Sequence, residues 1–337
     1  MQNKRADVKY CGVSQQKIRE AKPKLNAVAV KHFYDFVTER YKIHIRKDFL
    51  KQKAPWTNNP ILLQYKFCNI RREHDRQSQY LIKNISTNPC LSLEDKIVNS
   101  FYFRAWNNWD TMKDLGGPWP ANSLYSSKMK EQVRPIYKQL TAEEPDRKWW
   151  SSAYNQGGTK QAWRYADIDH FSDCVEQDIP LRVFHIGPWL KEHNTVEKLL
   201  NASDQKVAFE AIKEIQGFAD FLAYQIFVDL TYIEEFPFSE NEFVVAGPGC
   251  KKGLNKLFDD YDGLTFEEAL FWLTDNIDEI FNEVHPPFWA GRLFVDLPQE
   301  DRFFSVMCLE NCMCEFCKYI RTVEGNGRPR VKYKQHR

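Results

Sequence analysis

Four stretches of the chain carry side chains able to do chemistry together. The first, FCNIRREHDRQSQYL (Phe67–Leu81), sets three arginines, Glu73 and Asp75 around Asn69. On a helix, residues three and four apart are neighbours, so Asn69, Arg72 and Arg76 share a stripe and Asp75 lies beside Arg71 and Arg72. Guanidinium groups bind phosphate through paired hydrogen bonds, and a carboxylate among them orients them or accepts a proton. A salt-bridge network on a solvated face uses the same residues. In the second stretch, IQGFADFLAYQIFVD (Ile215–Asp229), Gln225 and Asp229 are four apart and follow Phe218 and Leu222 on one stripe. An amide and a carboxylate on an apolar line need partners or a pocket, so they read as a hydrogen-bonded structural pair or as pocket-lining groups.

The third stretch, AGPGCKKGL (Ala246–Leu254), places glycine-loop amides ahead of a helix, with Lys251 and Lys252 following. Such a loop cradles an anion or makes a tight turn. The spacing of a nucleotide-binding P-loop, G-x4-G-K-[ST], is absent, which disfavours a nucleotide kinase. In the fourth, LENCMCEFCKYIR (Leu309–Arg321), Glu310, Cys314 and Lys318 share a stripe next to Asn311, Glu315 and Tyr319. Its charged members serve equally as surface pairs. The four cysteines at 308, 312, 314 and 317 match no zinc or iron–sulfur spacing and point to opposite sides of a helix. Helix packing is the reading taken, and no metal ligand or cofactor is assigned.

The elements that position these residues are mostly helices. Residues 1–28 read as a basic N-terminal arm, 29–322 as a single helical domain, and 323–337 as a basic tail. In VKHFYDFVTERYKIHIRKDFL, Phe33, Phe36, Val37 and Tyr41 form an apolar stripe, and Asp35, Glu39, Lys42 and Arg46 the opposite face. Arg40 and Lys47 fall at the stripe, where a charge snorkels or meets a partner or ligand. Asn59 caps a helix with Pro60 at its first position, predicted to run through the first stretch to about Ile85. Ser92 and Asp95 form an acidic capping box for a helix over 92–115. Residues 116–165 are aperiodic and read as an irregular insertion. Further helices are predicted around 168–176, 195–215, from Gly217 to about Tyr232, and at 265–283 and 299–322. Strand signals are sparse, and the fold class is mainly α.

The chain has 47 Lys+Arg against 46 Asp+Glu, a net charge of +1, so any nucleic-acid surface must be local. Basic residues gather at both ends, with acidic stretches around 259–283. Aromatics reach 15%, with ten tryptophans, enough to fill a core or to line a cleft that stacks on planar ligands. Nine cysteines and no leader-like or membrane-spanning run predict a soluble cytosolic protein with reduced thiols and no membrane partner.

Taken in order, FYDFVTERYKIHIRK (33–47), PWT (55–57), FCNIRREHDRQSQYL, GFADFLAYQIFVDL (217–230), AGPGCKKGL and ENCMCEFCKY (310–319) resemble the helical family of phage thymine hypermodification. This is the α-glutamyl/putrescinyl-thymine pyrophosphorylase clade, also the helical domain attached to 5-hydroxymethyluracil DNA kinases. The F-x-N-x-x-R-x-x-D-R block is its most specific part. The turn at Gly217 looks like that of helix-hairpin-helix DNA glycosylases, although Gln216 and Ala219 depart from the usual proline and glycine. The resemblance therefore implies a helical bundle distantly similar to those glycosylases.

It also implies a reaction. 5-Hydroxymethyluracil in double-stranded DNA, phosphorylated by a separate kinase, loses phosphate or pyrophosphate to the amine of an amino acid, glycine favoured, or of a polyamine. On that view Arg72 and Arg76, helped by Arg40, stabilise the leaving group, and Asp75 or Asp229 takes the proton. Asn69, Gln225, Glu310, Glu315, Lys318 and Tyr319 bind substrate, and Arg46, Lys47, Trp56, Lys251 and Lys252 bind DNA, with a flipped base stacked on Trp56 or Tyr319. The setting implied is the cytoplasm of an infected bacterial host. A glycosylase-like enzyme, and a non-catalytic DNA-binding accessory to the kinase, are the competing readings.

Overall fold

The computed structural model describes residues 9–126, 128–151, 181, 183–215, 218–329 and 331–333. Among them are sixteen α-helices and one two-stranded antiparallel sheet, pairing Lys24–Leu25 with Phe258–Asp260, so the protein is mainly α. Contacts group the chain into two units: unit 1 joins residues up to Asp75 with those from Glu240 onward, and unit 2 is Arg76–Ser239.

Unit 1 opens with α1 (Gln15–Glu20) and α2 (Ala27–His44). Asn26 caps α2 by accepting the Ala29 N–H at 3.0 Å, and its stripe of Phe33, Phe36, Val37 and Tyr41 is buried as the spacing predicts. Burying each phenylalanine contributes about 2–3 kcal/mol. The described part of the segment before α2 makes contacts with the helix Phe266–Val284. Lys17 of α1 pairs with Glu268 at 2.6 Å, and Tyr10 stacks on Phe271. Asn59 accepts the Ile61 and Leu62 N–H groups and starts α3 (Pro60–Gln64) with Pro60 in its first turn, as read from sequence.

In unit 2 the helices are α4 (Arg76–Leu81), α5 (Leu93–Trp106), α6 (Trp109–Asp114), α7 (Ala121–Leu124), α8 (Met129–Glu143), α9 (Ile186–Glu192), α10 (Thr195–Leu200), α11 (Gln205–Lys213) and α12 (Asp220–Leu230). The Ser92–Asp95 capping box starts α5 with both reciprocal bonds present. Asn107 ends that helix with φ +45°. Tyr102, Trp106, Trp119 and Phe184 pack ring to ring, so these aromatics are core rather than a stacking platform. Within the segment expected to be irregular, α8 runs for 15 residues around Pro135. Its buried Met129, Val133 and Tyr137 show the 3.6-residue period that the proline obscures in sequence. The predicted helix 168–176 and the turn at Gln216–Gly217 lie outside the described residues.

The chain returns to unit 1 with α13 (Pro248–Leu257), α14 (Phe266–Val284), α15 (Ala290–Leu293) and α16 (Val306–Val323). Phe281 of α14 and Phe316 of α16 both pack on Phe33 of α2, at 5.4 and 5.1 Å between ring centroids. Helix α13 lies against α16 at backbone distance. A Cβ on Gly253 would overlap the Met313 carbonyl, and one on Gly249 the Cys314 sulfur. At the end of unit 1, the Lys66 N–H donates to Val331 O at 3.0 Å and the Tyr333 N–H to Gln64 O at 2.9 Å. No helix among the described residues is long and apolar enough to cross a membrane.

Candidate functional site

The helix predicted over 60–85 is broken in the middle, and the break builds the site. After α3 the backbone extends at Tyr65, makes a 3₁₀ turn at Arg72–His74, and re-enters a helix only at Arg76. Side chains satisfy this loop in place of helical carbonyls. The Asp75 carboxylate accepts the Asn69 N–H at 2.9 Å and its amide nitrogen at 3.1 Å, while the same amide donates to His74 O at 2.9 Å. Asn69, Arg72 and Arg76 therefore do not form the predicted stripe. Arg76 belongs to unit 2 and lies over the Trp109 ring at 4.5 Å.

Around the loop, unit 1 gathers residues from α2, α16 and the turn before α13. Arg40 of α2 donates to Phe67 O at 3.3 Å, while its Nη1 is buried without a hydrogen-bond partner. From α16, Glu315 accepts the Cys68 N–H at 3.2 Å and also pairs with Lys318, and Asn311 donates to Asn69 O at 3.3 Å. Glu310, 7% exposed, accepts the Gly247 N–H at 3.1 Å. The neighbouring Ala246 N–H goes to Glu267 at 3.0 Å. The AGPG loop thus holds the chain's own carboxylates, and its later glycines serve the α13–α16 packing.

Burial shifts the acids here toward neutrality. The Asp75 carboxyl is pushed up to about 6 by desolvation, against the pull of the Asn69 N–H, Arg40 and Arg72. Glu310 is pushed up to about 7 by the same cause, opposed by Gly247 and Arg72. Desolvation also lowers the Arg40 guanidinium, with Asp75 its strongest opposing charge. Two carboxyls that exchange protons near neutral pH, beside two guanidiniums with Arg72 only 7% exposed, make an arrangement able to hold an anion and move a proton.

The other predicted residues separate from this group. Asp229, 0% exposed on α12, is gripped by the Arg104 guanidinium through Nε at 2.5 Å and through Nη2. Gln225 is buried on the same helix. Tyr319 is buried, packs on Phe36 at 5.1 Å and accepts the Asn59 amide at 3.0 Å, which leaves no open face for a base. Arg46 pairs with Glu39 at 3.0 Å and bonds Trp56 O. Lys47 lies 5.6 Å over the half-buried Trp56 ring. Lys251 and Lys252 are exposed on α13. Cys308, Cys312 and Cys317 are buried in α16, where burial pushes their thiols up, in keeping with a packing role.

Sequence reasoning missed a second constellation in unit 1. His44, His74 and Asp296 converge, with Tyr41 and Asp48 hydrogen-bonded behind them. The only local signal was the i, i+4 pair His44–Asp48. Arg104, a lone cation in the aromatic run SFYFRAW, was the signal that Asp229 has a buried partner.

Residues 27–328 match the family described as the 5-hmdU DNA kinase helical domain, and the chain belongs to that family. It is similar to a 5-hmdU DNA kinase of Bacillus phage SP10, at 22% identity over 345 residues, covering 93% of this chain and 48% of the relative. The chain thus spans about half the length of that curated relative. No solved structure matches it.

Proposed function

We propose that this helical protein acts in phage thymine hypermodification as a transferase on DNA bearing phosphorylated 5-hydroxymethyluracil. The incoming amine lone pair forms a C–N bond to the C5 methylene as the C–O bond to phosphate breaks, and phosphate or pyrophosphate leaves with that electron pair. The proton shed by nitrogen passes to a carboxylate. The observation that carries the reading is the buried Asp75 carboxyl, hydrogen-bonded to Asn69 and pushed up to about 6 by desolvation despite the Arg40 and Arg72 charges. The arginines supply charge for the departing anion, and Asp75 takes the proton, with Glu310 as a second acceptor. Asp229, closed against Arg104, is read as structural. Glu315 with Lys318 holds an amino acid or polyamine donor, glycine favoured, and Arg46, Lys47, Lys251 and Lys252 meet the DNA backbone.

The test is mass spectrometry of nucleosides after incubating the protein with phosphorylated hydroxymethyluracil DNA and a mixture of amino acids and polyamines. A heavier nucleoside with release of phosphate supports the reading and names the donor; no mass gain with any donor sinks it. One observation favours a second reading, a DNA-binding accessory that presents substrate: the relative is a kinase and the matched region is half of it. That reading predicts DNA binding with every nucleoside mass unchanged.

A further inference from the structure

The geometry points to a divalent transition-metal site formed by His44, His74 and Asp296 in unit 1. It is independent of the transferase reading. His44 closes α2, His74 sits in the 3₁₀ turn, and Asp296 follows α15. Nε2 of His44 lies 3.1 Å and Nε2 of His74 3.8 Å from the same Asp296 oxygen, Oδ2. One ligand atom from each residue falls within 4.8 Å of the others, and the two imidazoles stack at 4.0 Å with planes 14° apart. Metal–ligand bonds of about 2.1 Å place neighbouring ligand atoms roughly 3–3.5 Å apart, so this set must draw together and turn its stacked rings toward a common point to close around an ion.

His44 and Asp296 are each held from behind by a further side chain. Nδ1 of His44 faces Asp48 at 3.2 Å, so an ion bound at Nε2 would leave the imidazole proton on Nδ1, donated to Asp48. Tyr41 donates its hydroxyl to the other Asp296 oxygen, Oδ1, at 2.5 Å, leaving Oδ2 for the cluster. His74 supplies the independent observation. Its side chain is 10% exposed, its Nδ1 has no hydrogen-bond partner, and its Nε2 at 3.8 Å is beyond hydrogen-bond reach of Asp296. A bond from Nε2 to an ion would give this imidazole a partner inside the cluster.

Two imidazoles and one carboxylate suit Zn²⁺, Fe²⁺, Mn²⁺ or Co²⁺ over Mg²⁺ or Ca²⁺, and three protein ligands leave a position for water or a substrate oxygen. The test begins with the chelator-stripped protein titrated with Co²⁺, then Zn²⁺ in competition. One ion per chain is expected, with binding weakened at least tenfold in His74→Gln and about 10- to 100-fold in Asp48→Ala, the outer partner of His44. Absence of stoichiometric binding, or unchanged affinity in His74→Gln, overturns the site. Zinc-edge X-ray absorption of the wild-type protein needs no variant to fold: imidazole and oxygen neighbours support the assignment, whereas a sulfur shell places the ion on the cysteines and refutes it.

Discussion

Each unit buries arginine beside carboxylate, and the two solutions differ in what they leave over. In unit 2 the Arg104 guanidinium meets both oxygens of Asp229 and spends a further N–H on Asn107 at 2.8 Å, so the pair is closed to anything else. In unit 1, Asp75 is hydrogen-bonded to Asn69, and Arg40 and Arg72 act on it through their charge. Arg40 keeps one buried nitrogen unpartnered, and the acid remains protonated in part near neutral pH. A saturated buried ion pair fixes structure, while an under-paired one holds electrostatic free energy that a ligand can release. Sequence alone placed Asp75 and Asp229 on equal terms as proton acceptors. Their environments separate them.

The widest separation comes from paired substitutions. Asp75→Asn should cut transfer to phosphorylated DNA about 100- to 10,000-fold, the usual contribution of a general base, while the protein stays folded by circular dichroism. Its rate profile also has a sign. The base works deprotonated, so the wild-type rate should fall as pH drops through about 6, and this acid limb should vanish in the variant's residual activity. Undiminished transfer in Asp75→Asn removes it from the mechanism. Asp229→Asn should act on stability instead, costing about 3–5 kcal/mol in denaturant melts because it strands the Arg104 charge in the core. An unchanged unfolding midpoint breaks the contrast from the other side.

What was legible in the sequence follows the range of the forces involved. The α2 stripe, the Asn59 cap with Pro60 and the Ser92–Asp95 box are set by residues within a few positions, and all appear where their spacing puts them. The helix through Phe67–Leu81 failed because Asn69 and Asp75 bond the backbone of the loop, a choice that periodicity does not reveal. Partners brought together by tertiary packing were out of reach: Arg104 and Asp229 are 125 residues apart, His44 and Asp296 252. The candidate site was therefore readable as a list of polar residues on α16 and the loop, but not as a division between closed and open pairs.

Glu310 offers a smaller effect that sharpens the open side of the comparison. Its carboxyl sits at about 7 when folded against an ordinary 4.5. Between those values the folded state holds a proton that the unfolded state has lost. The contribution to stability is therefore full below about pH 4.5 and declines as pH rises through 7. Glu310→Gln cannot ionise and still offers an oxygen to the Gly247 N–H. It should be more stable than wild type by up to about 3 kcal/mol at about pH 8 and nearly equal at about pH 4, by denaturant unfolding. Equal stability at both pH values contradicts a strained acid.

The smallest effects test whether the contrast belongs to the buried charges or to the general stability of each unit. Both units start a helix with a capping box, Ser92–Asp95 on α5 and Thr265–Glu268 on α14. Ser92→Ala and Thr265→Ala should each cost about 1 kcal/mol, because in each place one N–H, that of Asp95 or of Glu268, loses its hydroxyl acceptor. Neither should alter transfer or its pH profile, since neither box touches the Asp75 group. A much larger loss at Thr265 is the informative exception. Glu268 also pairs with Lys17 at 2.6 Å, and such a loss would show that the cap tethers the chain's first helix as well as starting its own.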